Sequence, residues 1–255
     1  MEGNEMTYGV PYRGSKNRLA EDIITLLPSG NRFVDLFCGG CAITHAATLS
    51  GKWDEILAND LCPVRGQDLF RLACQGEYNK EDYYRIVSKE EFYEKRDVEP
   101  HMIAVWGWNT TTKYLGQNWY DQMMAYGLTD IHEVPKGLFD PRPRLLRLQR
   151  LTGLDLSKVE FTQSDYRQYE HKEGDVVYCD VPYKGTDPRY QTKFDTDAFW
   201  EWARTRDYPV YVSEYKAPDD FVCIWEKNRL GIQAVKGKNR VAKPLEKLFV
   251  HNKWR

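Results

Sequence analysis

Three apolar runs in this chain each end in an aspartate, and this recurrence constrains the fold more than any other feature. The aspartates are Asp60, Asp165 and Asp180, and the runs before them have the length of single strands. Segments with the apolar spacing of helices alternate with such runs, which favours parallel strands joined by helices. The carboxyl ends of parallel strands meet at one edge of a sheet, where open α/β folds bind their ligands. We therefore expect the three carboxylates to converge on one crevice.

The remaining pattern supplies the other elements of an α/β domain. Pro28 ends the first helical stretch, and Gly39–Gly40 marks a tight turn after the first strand. Helices are predicted over 19–27, 42–49, 145–151 and 199–204, and strands over 33–37, 55–60, 159–165, 176–179 and 209–213. The runs 221–226 and 247–251 are predicted to complete the sheet as an edge hairpin.

The regular alternation breaks between residues 62 and 140. This stretch is rich in aromatic and charged residues and has no core-type strand pattern, so it is predicted to form a second, smaller lobe. The larger unit then consists of residues 1–61 and 141–255. Just after the break, Arg144, Arg147 and Arg150 fall three apart on a predicted helix; this stripe is more typical of a solvated helix face than of a phosphate clamp.

Composition narrows the class of protein. The chain has 255 residues, 42% of them hydrophobic and 29% charged, which is typical of a folded domain. A net charge of −2 argues against general attraction to nucleic acid, so such a partner would need a local basic patch. No apolar run approaches the roughly 20 residues of a membrane span, and the first ten residues lack a secretory pattern. These features predict a cytoplasmic protein with no membrane partner.

The six cysteines and five histidines predict no metal site. Cys38 and Cys41 have the spacing of a redox or metal pair, but no second pair accompanies them and the histidines are scattered. The two glycines between them are better explained by a strand-to-helix turn.

The segment 175–183 carries the chemistry. Its apolar run delivers Asp180, Val181, Pro182 and Tyr183 to the end of a strand. An exocyclic amino group can donate one hydrogen to the Asp180 carboxylate and the other to the Val181 carbonyl, while Tyr183 stacks on a flat base. The alternative is a buried strand that stops at Pro182 because proline ends strands. These residues alone leave both interpretations open.

The turn after the first strand indicates the ligand. It lacks the G-x-G-x-x-G pattern of dinucleotide enzymes, and no phosphate-binding P-loop occurs in the chain. Asp60 lies 20 residues after Gly40, close to the interval of about 20 at which nucleotide folds place a ribose-binding carboxylate. A nucleoside-like ligand without a pyrophosphate is therefore favoured. S-adenosylmethionine fits, with Lys16 pairing with its methionine carboxylate.

Six short motifs share the order and spacing of a known family. They are Tyr12-Arg-Gly-Ser-Lys16, Asp35-Leu-Phe-Cys-Gly-Gly40, Asn59-Asp60, Ser164-Asp165-Tyr166, Asp180-Val-Pro-Tyr183 and Ser213-Glu-Tyr215. Together they resemble the Dam-family (D12 class) DNA adenine-N6 methyltransferases, in particular the phage-type members. The resemblance implies a Rossmann-like S-adenosylmethionine-dependent methyltransferase sheet, with 62–140 as an inserted target-recognition domain. It also implies site-specific methyl transfer to adenine N6 of a flipped-out base in duplex DNA.

The resemblance assigns roles to particular residues. The cofactor set is Tyr12, Lys16, Asp35, Phe37, Cys38, Gly39, Gly40, Asp60, Asp165, Tyr166 and Asp180, and the catalytic set is Asp180, Val181, Pro182 and Tyr183. Within the inserted segment, base contacts are predicted for Lys113, Tyr114, Gln117 and Asn118 because lysine and amide side chains bond base edges. The basic loop with Lys236, Lys238 and Arg240 is predicted to contact phosphates.

One departure keeps other functions open. Val181 stands where the family has a proline; the group needed there is a backbone carbonyl, which valine also supplies, so activity is expected. A methyltransferase acting on an RNA base or a protein amide, and a non-catalytic DNA-binding protein with the same fold, are the alternatives. Expected partners are duplex DNA and, by the resemblance, a cognate restriction endonuclease, with the chain a monomer or weak dimer, bacterial or phage-encoded. The recognition sequence is not indicated.

Overall fold

One mostly parallel sheet organises the chain. The computed structural model describes residues 7–62, 65–115, 119–135, 140–182, 194–227 and 245–255. Within these residues the strands are β1 (Arg32–Asp35), β2 (Glu55–Asn59), β3 (Val159–Thr162), β4 (Asp175–Asp180), β5 (Val210–Glu214), β6 (Phe221–Lys227) and β7 (Glu246–His251). Their order across the sheet is β3-β2-β1-β4-β5-β7-β6, and β7 runs antiparallel to both of its neighbours. The predicted α/β class is confirmed.

The helices follow the predicted alternation. They are α1 (Ala20–Leu26), α2 (Ala42–Ser50), α3 (Gln67–Cys74), α4 (Lys89–Lys95), α5 (Trp119–Ala125), α6 (Arg142–Gln149) and α7 (Thr196–Thr205), with a π-helical turn at Met102–Trp106. The predicted strands and helices of the sheet region are confirmed to within a few residues at each end. The predicted edge hairpin also forms, but β6 is the outer strand and β7 lies inside the sheet.

The two central strands are held together away from the ligand-binding edge. β1 and β4 are buried almost throughout because helices cover both faces, which explains their continuous apolar runs. At their amino-terminal ends Arg32 donates to both oxygens of Asp175, at 2.9 and 2.7 Å. Tyr169 and the Lys172 amide donate to the same carboxylate, so this buried charge is compensated.

The chain order of the sheet places a crevice between β1 and β4. From β1 the chain moves to β2 on one side, and it later enters β4 on the other. Connecting segments therefore diverge at the carboxyl ends of these two strands, which is the usual ligand position in open α/β sheets.

The segment predicted as an insertion is mostly helical. Its described residues contribute no strand to the sheet and form only two isolated bridges, Arg85 with Asp130 and Gly107 with Tyr114. Its large buried side chains, including Tyr78, Phe92 and Trp106, belong to one apolar cluster with sheet residues such as Ala58. The segment thus packs directly against the α/β part, and its status as a separate target-recognition domain stays a prediction. In the described part of the chain no helix is long and apolar enough to cross a membrane.

Candidate active site

A pocket of about 1100 Å³ opens at the carboxyl ends of β1 to β4. Every residue of the predicted cofactor set lines it, as do Val181 and Pro182. The three aspartates that end the apolar runs therefore share one crevice, as expected. Tyr183, the last residue of the predicted catalytic set, lies outside the described residues.

The turn after β1 is shaped for close approach. Gly39 has φ +47°, and a Cβ on Gly40 would lie 2.4 Å from the Tyr12 Cβ, so a larger residue at position 40 would displace Tyr12. Asp60 braces this turn: its Oδ2 accepts from the Gly39 amide and its Oδ1 from the Cys62 amide, both at 2.8 Å. Burial raises the pKa of the Asp60 carboxyl, and these two hydrogen bonds oppose that rise. Asp60 thus orders the wall that any ligand here must contact.

Asp35, at the end of β1, is a buried carboxyl group that can accept further hydrogen bonds. Only 1% of it is exposed, and its Oδ2 accepts from the Thr44 hydroxyl at 2.8 Å. Its Oδ1 is buried without a hydrogen-bond partner among the described residues. Burial raises the pKa of Asp35 to about 7, and the charges of Asp180 and Asp60 add to the rise. A ligand that brings a cation or a donor to this oxygen would relieve the cost of burial.

Asp180, at the end of β4, is held by a lysine. The Lys16 ammonium donates to Asp180 Oδ1 at 2.6 Å and lies 3.9 Å from Glu246 Oε2. Lys16 and Glu246 are both buried. The sequence indicated Lys16 only as a partner of a cofactor carboxylate, whereas the structure also joins it to the predicted catalytic carboxylate. Nothing at the level of spacing could have shown this, because 164 residues separate the two side chains.

Aromatic rings form the wall beside β3. The ring centroid of Phe37 lies 5.4 Å from that of Tyr166 and 5.7 Å from that of Phe194. Asp165 sits on this wall as the cap of a short helical turn, where it accepts from the Arg167 amide at 2.9 Å. The Arg167 guanidinium also bonds this carboxylate and lowers its pKa. Phe194 was missed because it lies outside every motif considered.

Two buried amides align the strand ends. Asn59 donates to the carbonyls of Leu36 and Ser164, and Gln67 donates to those of Ala58 and Thr162, all at 2.9 to 3.1 Å. They therefore tie β1, β2 and β3 together below the pocket. Asn59 had been recognised only as a motif partner of Asp60. Gln67 was missed, although its position among apolar residues of α3 was an available signal.

The wall opposite the sheet comes from the segment predicted as an insertion. Ile103, Ala104 and Thr110 to Thr112 line the pocket there. We call residues 107–114 the roof loop; its ends pair through the Gly107–Tyr114 bridge, and the Trp108 amide donates to the Lys113 carbonyl at 2.6 Å. Thr110 has φ +56°, an unusual value for a β-branched residue. Such strain is concentrated at functional sites.

The residues predicted to contact DNA in and near this loop differ in their exposure. Lys113 is exposed, in agreement with a contact surface. Tyr114 is only 6% exposed; its ring packs against Phe92 and its hydroxyl donates to the Val87 carbonyl. A side chain packed in the core in this way does not face a base edge in this structure, and the base contact by Tyr114 stays a prediction. Gln117, Asn118, Lys236, Lys238 and Arg240 lie outside the described residues.

The arginine stripe on α6 is also different from the prediction. Arg144 and Arg147 are half-buried: they reach inward and donate to backbone carbonyls of Gly107 and Tyr8, each at 2.6 Å. Burial lowers the pKa of both guanidinium groups to about 10. Only Arg150 is exposed, as expected for the whole stripe.

The cysteine pair fits a structural role. Cys38 and Cys41 are buried with their sulfurs 3.9 Å apart, and burial raises the pKa of both thiols, which suppresses thiolate chemistry. No group of three or more histidine, cysteine or acidic side chains within the described ranges is arranged to hold a metal ion.

The sheet order, the antiparallel β7 and a pocket at the β1–β4 junction are those of a Rossmann-like methyltransferase. Comparison with known proteins identifies the family within this class. Residues 12–207 match the model of the D12 class N6 adenine-specific DNA methyltransferases, and the chain belongs to that family. It is similar to the Retron Ec67 DNA adenine methylase of Escherichia coli, at 26% identity over 231 residues that cover 79% of this chain and 75% of the relative. The protein is thus an adenine-specific DNA methyltransferase, as its motifs indicated.

Proposed function

We propose that this chain transfers a methyl group from S-adenosylmethionine to N6 of an adenine that has left the DNA stack. The observation that carries the proposal is the position of Asp180, at the end of a buried strand and in one pocket with Asp35 and Asp60. At about 1100 Å³ the pocket lies at the upper end of the range of roughly 300–1,000 Å³ that is typical of ligand sites. A cofactor and a base together would use that room.

The residues present fit this cofactor. The buried, unsatisfied oxygen of Asp35 suits the ammonium group of the methionine part. Asp60 is already ordered by two amides and is proposed to accept from ribose hydroxyls, and the Phe37–Tyr166 wall suits a flat purine. When bound, the cofactor supplies an electrophilic methyl group.

The chain activates the amine by accepting its hydrogens. The lone pair of adenine N6 is delocalised into the ring, so the nitrogen is a weak nucleophile. Acceptors at Asp180 and the Val181 carbonyl would favour the pyramidal nitrogen, and fixed acceptors aimed at developing charge are an effective form of catalysis. Lys16 orients the Asp180 carboxylate through the 2.6 Å bond. The proton that N6 loses lies on the hydrogen bond to Asp180, which makes this carboxylate its first acceptor.

The roof loop is the part of the pocket wall that we propose to face DNA. A base must leave the stack to reach such a pocket, and a pocket wall formed by Thr110 to Thr112 lies next to exposed Lys113. We propose that residues 62–140 select the sequence and that Lys113 contributes to this selection. Base contacts by Gln117 and Asn118, stacking by Tyr183 and phosphate contacts by Lys236, Lys238 and Arg240 remain part of the proposal.

The direct test uses an isosteric change with a matched control. Asp180→Asn is compared with Asp54→Asn, an aspartate whose side chain is 94% exposed. Methyl incorporation from labelled cofactor is measured on duplex DNA, RNA and protein, and the DNA is digested to nucleosides. We expect N6-methyladenine from the wild type and Asp54→Asn, and a loss of about 10²–10³-fold in turnover for Asp180→Asn. Cofactor binding should be largely retained, because the other residues of the cofactor set are unchanged. Wild-type transfer to RNA or protein rather than DNA, or near-normal turnover by Asp180→Asn, would overturn the proposal.

A further inference from the structure

Helix α6 bonds, through two arginines three residues apart, two chain segments that lead into walls of the pocket. Arg144 Nη1 donates to the carbonyls of Gly107 and Val105, at 2.6 and 3.3 Å. Arg147 donates from Nη2 to the Tyr8 carbonyl at 2.6 Å and from Nε to the Gly9 carbonyl at 3.1 Å. Both guanidinium groups thus bond backbone carbonyls, and the carbonyls belong to two segments far apart in the sequence.

The segment held by Arg144 is the roof loop. Gly107 begins this loop directly after the π-helical turn, so Arg144 places a positive charge on the carbonyls at the end of that turn. Space there is tight, because a Cβ on Gly107 would lie 2.3 Å from the Thr111 carbonyl oxygen. Arg96 adds a second anchor by donating to the Thr112 carbonyl at 2.6 Å. The guanidinium groups of Arg144 and Arg96 therefore hold the backbone of the loop whose threonines line the pocket.

The segment held by Arg147 leads to the cofactor side. Tyr8 and Gly9 precede Tyr12 and Lys16, and the Val10 amide donates to the Gly40 carbonyl at 2.9 Å. The Gly9 amide donates to His45 Nδ1, so both polar groups of Gly9 are fixed. Among the residues that the structure describes, Arg147 has no carboxylate within ion-pair distance. Its charge is compensated by carbonyl oxygens, which ties its position to this segment.

We propose that Arg144 and Arg147 are positioning residues with separable effects on the two substrates of the methyltransferase. Arg144 positions the roof loop and so supports DNA binding, whereas Arg147 positions the Tyr8–Gly9 segment and so supports cofactor binding. The proposal rests on the proposed function, in which the roof loop faces DNA and the Tyr12–Lys16 segment faces the cofactor. If α6 had only a structural role, the loss of either arginine would instead weaken the binding of both substrates.

The experiment measures cofactor binding and the KM for DNA for each variant. Arg144→Met and Arg147→Met keep much of the side-chain volume, and Arg150→Met is the matched control on the exposed face of the same helix. Calorimetry with S-adenosylhomocysteine gives the cofactor-site Kd, and steady-state methylation gives kcat and the KM for duplex DNA. Arg144→Met should raise the KM for DNA roughly tenfold with little change in the cofactor-site Kd, the effect of losing a charge-assisted hydrogen bond. Arg147→Met should raise that Kd by a similar factor and leave the KM for DNA nearly unchanged, and Arg150→Met should change neither.

Lysine variants distinguish a loss of positioning from a general loss of folding. Lysine can donate to one of the two carbonyls, so Arg144→Lys and Arg147→Lys should each recover part of the affected constant alone. If both methionine variants change both constants equally, or neither constant changes, the inference is wrong. Wild type without DNA methylation would refute the proposed function instead, which separates the two failures.

Discussion

Replacing Asp35 by asparagine should change how the stability of this protein depends on pH. Burial raises the pKa of Asp35 from an ordinary value of 3.8 to about 7. Between these two pH values the unfolded chain releases this proton while the folded protein retains it. The folded state then binds more protons, so the free energy of unfolding falls as the pH rises. At about 1.4 kcal/mol for each pKa unit, the Asp35 contribution to this fall approaches ~4 kcal/mol by pH 8.

Asparagine removes the titration and keeps the shape. It can still accept from the Thr44 hydroxyl, and it carries no charge to bury. Relative to wild type, Asp35→Asn should therefore gain about 2–4 kcal/mol in free energy of unfolding between pH 4.5 and pH 8. Urea unfolding of both proteins across this range measures the difference.

Asp165→Asn supplies a control of opposite sign. Arg167 lowers the pKa of Asp165, so the stability that this pair contributes is present above the unfolded pKa and is lost as the pH falls. Its removal should cost stability near neutral pH and little in acid. If the difference between Asp35→Asn and wild type were flat across the pH range, Asp35 would be ionised in the folded protein, and the burial argument would fail.

Three further changes test the site. Asp60→Ala should weaken cofactor affinity by about 1.5–3 kcal/mol, because it removes charge-assisted bonds and the support of the Gly39 amide; unchanged affinity in calorimetry would exclude that role. Val181→Pro, which restores the family motif, should keep turnover within a few-fold of wild type because only the carbonyl of residue 181 is needed; a large loss in a methylation assay would mean that the pocket is built around valine. Lys113→Ala should relax discrimination between cognate and near-cognate sites, as read by sequencing methylated DNA; an identical methylated motif would remove Lys113 from the proposed readers.

The sheet and the composition of the pocket were predictable because they depend on local patterns. A strand such as β4 is buried on both faces, so its apolar run is visible in the sequence, and the residue that ends it must lie at the sheet edge. Motif order predicts the cofactor set, and in the structure all of its residues line one pocket.

Contacts between distant segments were not predictable. The Lys16–Asp180 bond joins residues 164 positions apart, and the Arg147–Tyr8 bond joins residues 139 apart. A stripe of arginines looks the same in a sequence whether its face meets water or backbone carbonyls. The burial of Tyr114 is unpredictable for a related reason: aromatic residues serve both cores and base contacts, and only packing separates the two.

The antiparallel direction of β7 has a consequence for how this enzyme can be modified. Glu214 at the end of β5 lies near Lys247, and Lys227 at the end of β6 pairs with Glu246. The described ends of the connection between β6 and β7, Lys227 and Glu246, therefore lie on the same side of the sheet as the pocket. Residues between these two attachment points can therefore be exchanged for others of different charge while the pairing of β6 with β7 is kept.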